Sequence, residues 1–374
     1  MKKHILLIGV SSDAGGGTKH LLSLIRFLLS QDFKVTLILP NNGPLFEDFE
    51  RLGINLFDID TRKLSLRSLL RIIFILKQFS PDLIHTHGKG AGIYGRVGNL
   101  FLRSKIIHTF HGFYLGNEER VRKFILLVIE FILKYFSDRL IAVSKGELTY
   151  LVQKGISDHS NTTLIYNGVK EQEFAEAEST HESSRPIIGT LSRIDYAKGI
   201  DLLVKTVFEF EKRGIDAEFH ILGGTPNGFE KYHQEILEFT HKSNWVSNRI
   251  FFHGEVQNPA AYLRKFDIYL CTSRREGFPL ALLEAALCQK LIVSTNVCGC
   301  NEIVEDGVTG FLASNLSPES IADTLVQALS SSKKQQIINN CFQKVRQEFS
   351  QSRMLVKTSN LYMQLLQDGK PDRI

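Results

Sequence analysis

The sequence predicts an α/β protein built from two doubly wound domains in tandem, and three observations carry that expectation. Short apolar runs alternate with amphipathic stretches, the alternation stops at a polar segment near the middle, and it then restarts. The chain has 374 residues, too many for one ordinary core but suited to two domains of roughly 170 to 200 residues each. Hydrophobic residues make up 43% and charged residues 23%, with nine prolines, a composition of folded rather than disordered chains.

In the first half, His4 to Val10, Lys34 to Leu39, Leu83 to His85, Lys105 to Phe110 and Arg139 to Val143 read as strands, with amphipathic helices such as Thr18 to Ser30 and Leu66 to Lys77 between them. After the strand-like Thr163 to Tyr166, Asn167-Gly168 marks a turn, followed by an acidic polar stretch through Ser184 without apolar period. The boundary is placed there, giving domains 1–168 and 169–350. The strand pattern resumes at Ile187 to Leu191, Glu218 to Leu222, Ile250 to Phe252, Ile268 to Cys271 and Leu291 to Val293. Sheets of this kind bind ligands beyond the carboxyl ends of their strands, so each half is expected to present one loop-lined edge to a central cleft.

The net charge of +5 hides an asymmetry: Met1 to Lys170 carry 23 Lys and Arg against 14 Asp and Glu. A basic half suits a polyanion or an anionic membrane surface. Nucleic acid is not expected as a partner, because no zinc-finger, ribonucleoprotein or helix-turn-helix signature accompanies the charge. The basic tip Met1-Lys2-Lys3-His4 precedes an apolar run too short for a signal peptide. The apolar stretch Phe124 to Ile129 falls far short of the roughly 20 residues a spanning helix needs. Five cysteines, all in the second half, fit a reducing cytoplasm.

The densest chemistry lies in Ser273-Arg274-Arg275-Glu276-Gly277-Phe278-Pro279-Leu280-Ala281-Leu282-Leu283-Glu284, directly after an apolar strand. Pro279 suits the first position of a helix, placing Glu276 in the preceding loop and Glu284 inside the helix. The unpaired N–H groups of that first turn favour an anionic phosphate between the two carboxylates. A nucleotide sugar has that order of groups, with hydroxyls flanking a diphosphate. A second cluster, Gly189 to Gly199, puts Arg193 and Lys198 on the loop after the first strand of this half. Two cations there can neutralise a diphosphate and stabilise the charge that grows on it as a glycosidic bond breaks, with no metal required.

Arg193-x4-Lys198 followed by Glu276-x7-Glu284 within Glu-Gly-Phe-Pro-Leu resembles the retaining glycosyltransferases of family 4, which have the GT-B fold. The resemblance extends to Ile141 to Ser144, Ile165 to Val169, Leu222-Gly223-Gly224, Phe252-His253-Gly254 and Glu302 to Phe311. It implies that Arg193 and Lys198 hold the donor diphosphate, that Glu276 contacts hydroxyls of the transferred sugar, and that Glu284 binds the ribose. Gly277, Phe278, Pro279 and Leu280 would supply backbone contacts, while Gly223, Gly224 and the loop near Val256 would approach the nucleoside. Gly16 and Gly17, after the opening strand, would lie near the sugar and diphosphate. His111 would reach the donor sugar or acceptor, and Glu276, His111, Arg193 and Lys198 together form the expected catalytic set. The last segment, about 351–374, is expected to cross back to the first domain.

The reaction implied is transfer, with retention, from a nucleotide diphosphate sugar, chiefly a UDP-sugar, to a glycan or lipid-linked acceptor in surface polysaccharide synthesis. A nucleotide-sugar 2-epimerase of the same fold and a non-catalytic two-lobed sugar-binding protein remain as alternatives. No metal or other cofactor is expected: His85-x-His87 lacks an evident third ligand, Asp58-x-Asp60 is a lone tripeptide, and Cys298-x-Cys300 lacks a second pair. Arg120 to Phe136 and Leu64 to Lys77 are apolar with basic residues, and read either as buried helices or as peripheral contacts with anionic lipid at the inner face of the membrane.

Overall fold

A computed structural model describes residues 2–102, 104–113, 120–174 and 185–367. Residues 175–184 of the polar boundary stretch and 368–374 of the final segment lie outside the described residues. The chain divides into two compact units. One holds the described residues as far as Asn167 together with those from Ser352 on, and the other is Gly168–Gln351.

The first unit runs β1 (His4–Ile8), α1 (Gly16–Ser30), β2 (Lys34–Ile38), α2 (Phe46–Glu50), β3 (Asn55–Phe57), α3 (Leu66–Phe79), β4 (Leu83–His87), α4 (Lys89–Gly98), β5 (Lys105–Thr109), α5 (Arg120–Leu133), β6 (Arg139–Ala142), α6 (Lys145–Gln153) and β7 (Thr162–Leu164). The second runs β8 (Ile187–Leu191), α7 (Ile200–Arg213), β9 (Glu218–Leu222), α8 (Glu230–Thr240), α9 (Asn244–Ser247), β10 (Ile250–Gly254), α10 (Pro259–Leu263), β11 (Ile268–Cys271), α11 (Leu280–Leu287), β12 (Leu291–Thr295), α12 (Cys300–Ile303), β13 (Phe311–Ala313), α13 (Pro318–Ser330) and α14 (Lys334–Glu348). A last helix, α15 (Gln351–Gln367), follows.

Among the described residues the first sheet has seven strands in the order β3-β2-β1-β4-β5-β6-β7, and the second has six in the order β10-β9-β8-β11-β12-β13. Every pairing is parallel. Strands covered on both faces need continuous rather than alternating apolar sequence, and all residues of β1, β4 and β12 are buried. Successive side chains of β1 go to opposite faces. Ile5 and Leu7 pack with Leu24, Ile25 and Leu28 of α1, while Leu6 and Ile8 pack with Ile72 and Leu76 of α3. Met354, Leu361, Tyr362 and Leu365 of α15 join the first of these cores, so the final helix belongs to the first unit by its packing.

Both sheets reverse their winding, at β1/β4 and at β8/β11. Loops diverge there beyond the carboxyl ends of the strands and leave a crevice for ligands.

Helix α5 is turned contrary to the usual arrangement. Its Glu130 is buried and paired with Arg96 of α4 at 2.8 Å, the two side chains being 3% and 0% exposed. Val121, Phe124, Ile125, Val128, Phe131 and Ile132 are exposed along the outside. Leu66, Leu70 and Phe74 of α3 are exposed too. The buried-helix reading is therefore corrected for α5, where the Arg96–Glu130 pair fixes the rotation and the apolar stripe faces out, whereas α3 still buries Ile72, Ile75 and Leu76 on its inner face. No helix among the described residues is long and apolar enough to cross a membrane.

Candidate active site

In the second unit the loops after β8, β9, β10 and β11 meet at one sheet edge, and they carry the residues singled out in this half. The loop after β8 is folded by Asp195, whose Oδ1 accepts the Lys198 amide at 3.1 Å and whose Oδ2 accepts Arg193 Nε and Nη2 at 3.1 and 2.9 Å. The Arg193 side chain remains 57% exposed. The chain then passes Gly199, where φ is +67° and a Cβ would fall 2.1 Å from the Thr272 carbonyl oxygen. Only glycine permits that turn and that approach. The Thr272 hydroxyl in turn donates to the Lys198 carbonyl at 3.1 Å.

These contacts bring Lys198 onto the loop after β11. Its Nζ lies 2.7 Å from Glu276 Oε1, which also accepts the Ser273 hydroxyl at 2.6 Å. Glu276 is buried, and its Oε2 accepts no hydrogen bond among the described residues. Burial works against the Lys198 charge, but the Glu276 carboxylate outweighs it and raises the Lys198 pKa. Lys198 therefore stays cationic at neutral pH.

Arg274 clamps the same two loops from the other side. It pairs with both oxygens of Asp201 at 2.7 and 2.8 Å, donates to the Tyr196 carbonyl at 3.0 Å, and stacks 4.1 Å over the Tyr196 ring. The Tyr232 hydroxyl donates to Asp201 at 2.6 Å. Burial opposes the Asp201 charge, yet Arg274 and Tyr232 hold its carboxyl well below the usual range.

Helix α11 begins at Leu280, with Pro279 as its extended N-cap. This corrects the expectation that Pro279 opens the helix: its ψ of 112° lies outside the helical region. Glu284 sits on the second turn, about 6 Å along the axis from Leu280, and is buried. Phe278 is buried and meets Phe349 edge to face at 4.9 Å, which anchors the loop between Gly277 and the helix. Gly223 donates its N–H to the Gly254 carbonyl at 2.7 Å, and Gly224 accepts from Ile194 at 2.9 Å. The glycine pair thus lies between the loop of Arg193 and that of Val256. Cations, a buried carboxylate with a spare oxygen and a helix N-terminus on one sheet edge suit a phosphorylated, hydroxyl-rich ligand.

The first unit gathers its own group. Gly16 and Gly17 open α1, with Gly15 as N-cap. His111 follows β5 with φ +58°, and Gly112 with φ +97°, strained backbone that a non-glycine residue keeps only when its surroundings hold it. Glu147 holds it. Its Oε1 accepts the amides of Gly112 and Phe113 at 2.6 and 2.7 Å, and its Oε2 accepts that of Val143 at 2.8 Å. His111 Nε2 lies 3.0 Å from His87 Nδ1, and its ring is 5.0 Å from that of His20. Three histidines therefore converge where the sequence suggested no third partner for His87.

Asp58 and Asp60 are separately engaged, by the Asn41 amide at 2.9 Å and by Arg62 at 3.1 Å. Sequence reasoning missed Ser273, Arg274 and Glu147 as supports of the site. Only Glu147 had a legible signal, the Ser144-x-x-Glu147 capping pattern, and the Ser144 side chain does accept the Glu147 amide at 3.1 Å.

Two tandem doubly wound parallel sheets, with cations and a carboxylate on loops at the second switch point, define the GT-B fold of nucleotide-sugar enzymes. The chain matches the description Glycosyltransferase Family 4 over residues 14–173 and Glycosyl transferases group 1 over residues 185–331. It is 22% identical over 320 residues to the capsular polysaccharide biosynthesis glycosyltransferase CapM of Staphylococcus aureus, covering 82% of each chain. It is 24% identical to the UDP-Gal:alpha-D-GlcNAc-diphosphoundecaprenol alpha-1,3-galactosyltransferase of Escherichia coli, covering 92% of each. Its fold is similar to that of Anabaena HepE in complex with UDP and glucose, with TM-score 0.85 and 19% identity over 97% of this chain and 100% of that one. The protein belongs to the family 4 glycosyltransferases and is a glycosyltransferase.

Proposed function

We propose that the chain transfers a hexosyl or N-acetylhexosaminyl group, with retention, from a UDP-sugar to a glycan or lipid-linked acceptor in surface polysaccharide synthesis. The observation that carries this reading is the Lys198–Glu276–Ser273 contact beside the N-terminus of α11. It sets a cation for the diphosphate next to a carboxylate with a free oxygen for sugar hydroxyls. The choice of UDP and of a polysaccharide product is supported by the relatives, one named for UDP-Gal and a diphosphoundecaprenol-linked acceptor, another for capsule synthesis, and by the HepE complex with UDP.

In this reading Arg193 and Lys198 neutralise the diphosphate, and the amides of Gly277 to Leu280 contact phosphate and sugar. The bond from the anomeric carbon to the diphosphate oxygen breaks while the acceptor oxygen attacks from the same side. The departing oxygen takes the acceptor proton, and the two cations stabilise the charge of the leaving group without a metal in that role. His111 serves the sugar or acceptor, and Glu284 the ribose. NMR assignment of the product's anomeric configuration tests the stereochemistry: the donor's configuration is expected, and an inverted product would contradict the mechanism.

The exposed apolar stripe of α5, flanked by Arg120, Arg122, Lys123 and Lys134, and the exposed Arg67 and Arg71 of α3 support seating on an anionic membrane from the cytoplasmic side. A lipid-linked acceptor would be presented at that surface.

A further inference from the structure

Four histidines of the first unit, His20, His85, His87 and His108, are buried, and His111 lies half-buried among them. His85 is accounted for: its two ring nitrogens contact the Tyr362 hydroxyl and, at 2.7 Å, the Thr109 hydroxyl. His108 Nδ1 contacts the Thr86 hydroxyl at 2.8 Å. The remaining three have one nitrogen each within 4.8 Å of one another. Within that trio, His20 Nδ1 and His87 Nε2 are buried with no hydrogen-bond partner among the described residues. Leaving such atoms unsatisfied costs about 1–3 kcal/mol each, so two of them within one histidine trio call for a ligand that accepts imidazole lone pairs.

We propose that His20, His87 and His111 form a binding site for one borderline d-block dication of the Zn²⁺ class. Three imidazoles with no carboxylate among them select such ions over Mg²⁺ or Ca²⁺, which want oxygen. Two nitrogens on a tetrahedral ion with bonds near 2.0–2.1 Å stand about 3.3 Å apart, and one nitrogen from each of the three rings already lies within 4.8 Å of the other two.

The surroundings orient the ligands as metal sites require. Asn167 hydrogen-bonds the His20 side chain, the His87 ring packs 4.0 Å from that of His85, and Glu147 pins the two amides after His111. Three protein ligands leave a fourth position for water. On the reading that His111 serves sugar transfer, a dication here withdraws its lone pair and slows turnover.

The test uses the full chain, stripped with EDTA and titrated with ZnCl2 by calorimetry and with CoCl2 by visible absorption, with MgCl2 as the comparison. One Zn²⁺ per chain, a tetrahedral Co²⁺ band, no response to Mg²⁺, and at least tenfold weaker binding in His20→Ala and His87→Ala but not in His253→Ala are expected. Absence of Zn²⁺ binding by folded wild type, or binding unchanged in both trio variants, would overturn the site. Should those variants fail to fold, the wild-type Co²⁺ spectrum decides, since a pale octahedral band contradicts a three-histidine tetrahedral site. Zn²⁺ inhibition reversed by EDTA is expected as well. Full turnover of the Zn²⁺-loaded chain would leave the metal site standing and refute the share of His111 in transfer.

Discussion

Lys198 Nζ and Glu276 Oε1 stand 2.7 Å apart, joining the loop that leaves β8 to the loop that leaves β11. The pair is partly buried, with side chains 22% and 8% exposed, and the Ser273 hydroxyl completes it. A phosphate approaching Lys198 competes with this carboxylate, and a sugar hydroxyl can bind its second oxygen. The two residues can therefore be separated experimentally.

On the proposed donor site, Lys198→Ala removes a charged hydrogen-bond donor from the diphosphate and is expected to weaken UDP binding about 10- to 100-fold, the equivalent of roughly 1.5–3 kcal/mol. On the same proposal, Glu276→Gln frees Lys198 for phosphate and spoils the proposed sugar contact. UDP affinity should hold or rise while turnover falls at least tenfold. Parallel loss of UDP affinity in both variants would show that the pair acts only as a structural strut.

Much of this arrangement was legible in the chain. The apolar runs that become β1, β8 and β11 are continuous because both faces are covered, and the spacing of Arg193, Lys198, Glu276 and Glu284 survives intact on one sheet edge. Short edge strands were not legible, since Asn55–Phe57 and Phe311–Ala313 span too few residues to show a period. The rotation of α5 was equally hidden, because it depends on Arg96, which lies 34 residues from Glu130. The meeting of His20 with His87 and His111 follows from tertiary packing alone.

The Arg274–Asp201 clamp carries a pH signature. Unfolded Asp201 takes up its proton near pH 4, whereas in the folded chain the carboxyl is held well below its usual range. The unfolded state therefore binds more protons as the pH falls below about 4, so the clamp's contribution is full above that pH and is lost beneath it. Urea midpoints measured against pH should show Asp201→Asn destabilised at pH 7 and the difference from wild type shrinking below pH 4. A constant difference across that range would refute the clamp's ionic character.

Glu147→Gln exchanges one of the oxygens that hold the amides of Val143, Gly112 and Phe113 for an N–H₂ donor. A loss of about 1–3 kcal/mol is expected from the unpaired amides, together with lower turnover through the His111 loop. Chemical denaturation and steady-state rates check both. Unchanged stability would mean that Glu147 does not hold that backbone.

Phe124→Ser and Phe131→Ser remove apolar surface from the outward stripe of α5 without touching the buried Arg96–Glu130 pair. Sedimentation with vesicles containing anionic lipid should show wild type bound and the double variant released, with melting temperature unchanged. Equal sedimentation of both would place any membrane contact elsewhere.

The donor site in the second unit is the central claim, and calorimetric titration of UDP, with GDP and ADP for comparison, tests it most directly. UDP binding that is insensitive to EDTA and weakened at least tenfold by Arg193→Ala and by Glu284→Ala is the predicted result. Absence of nucleotide binding, or UDP affinity untouched by either substitution, would contradict it.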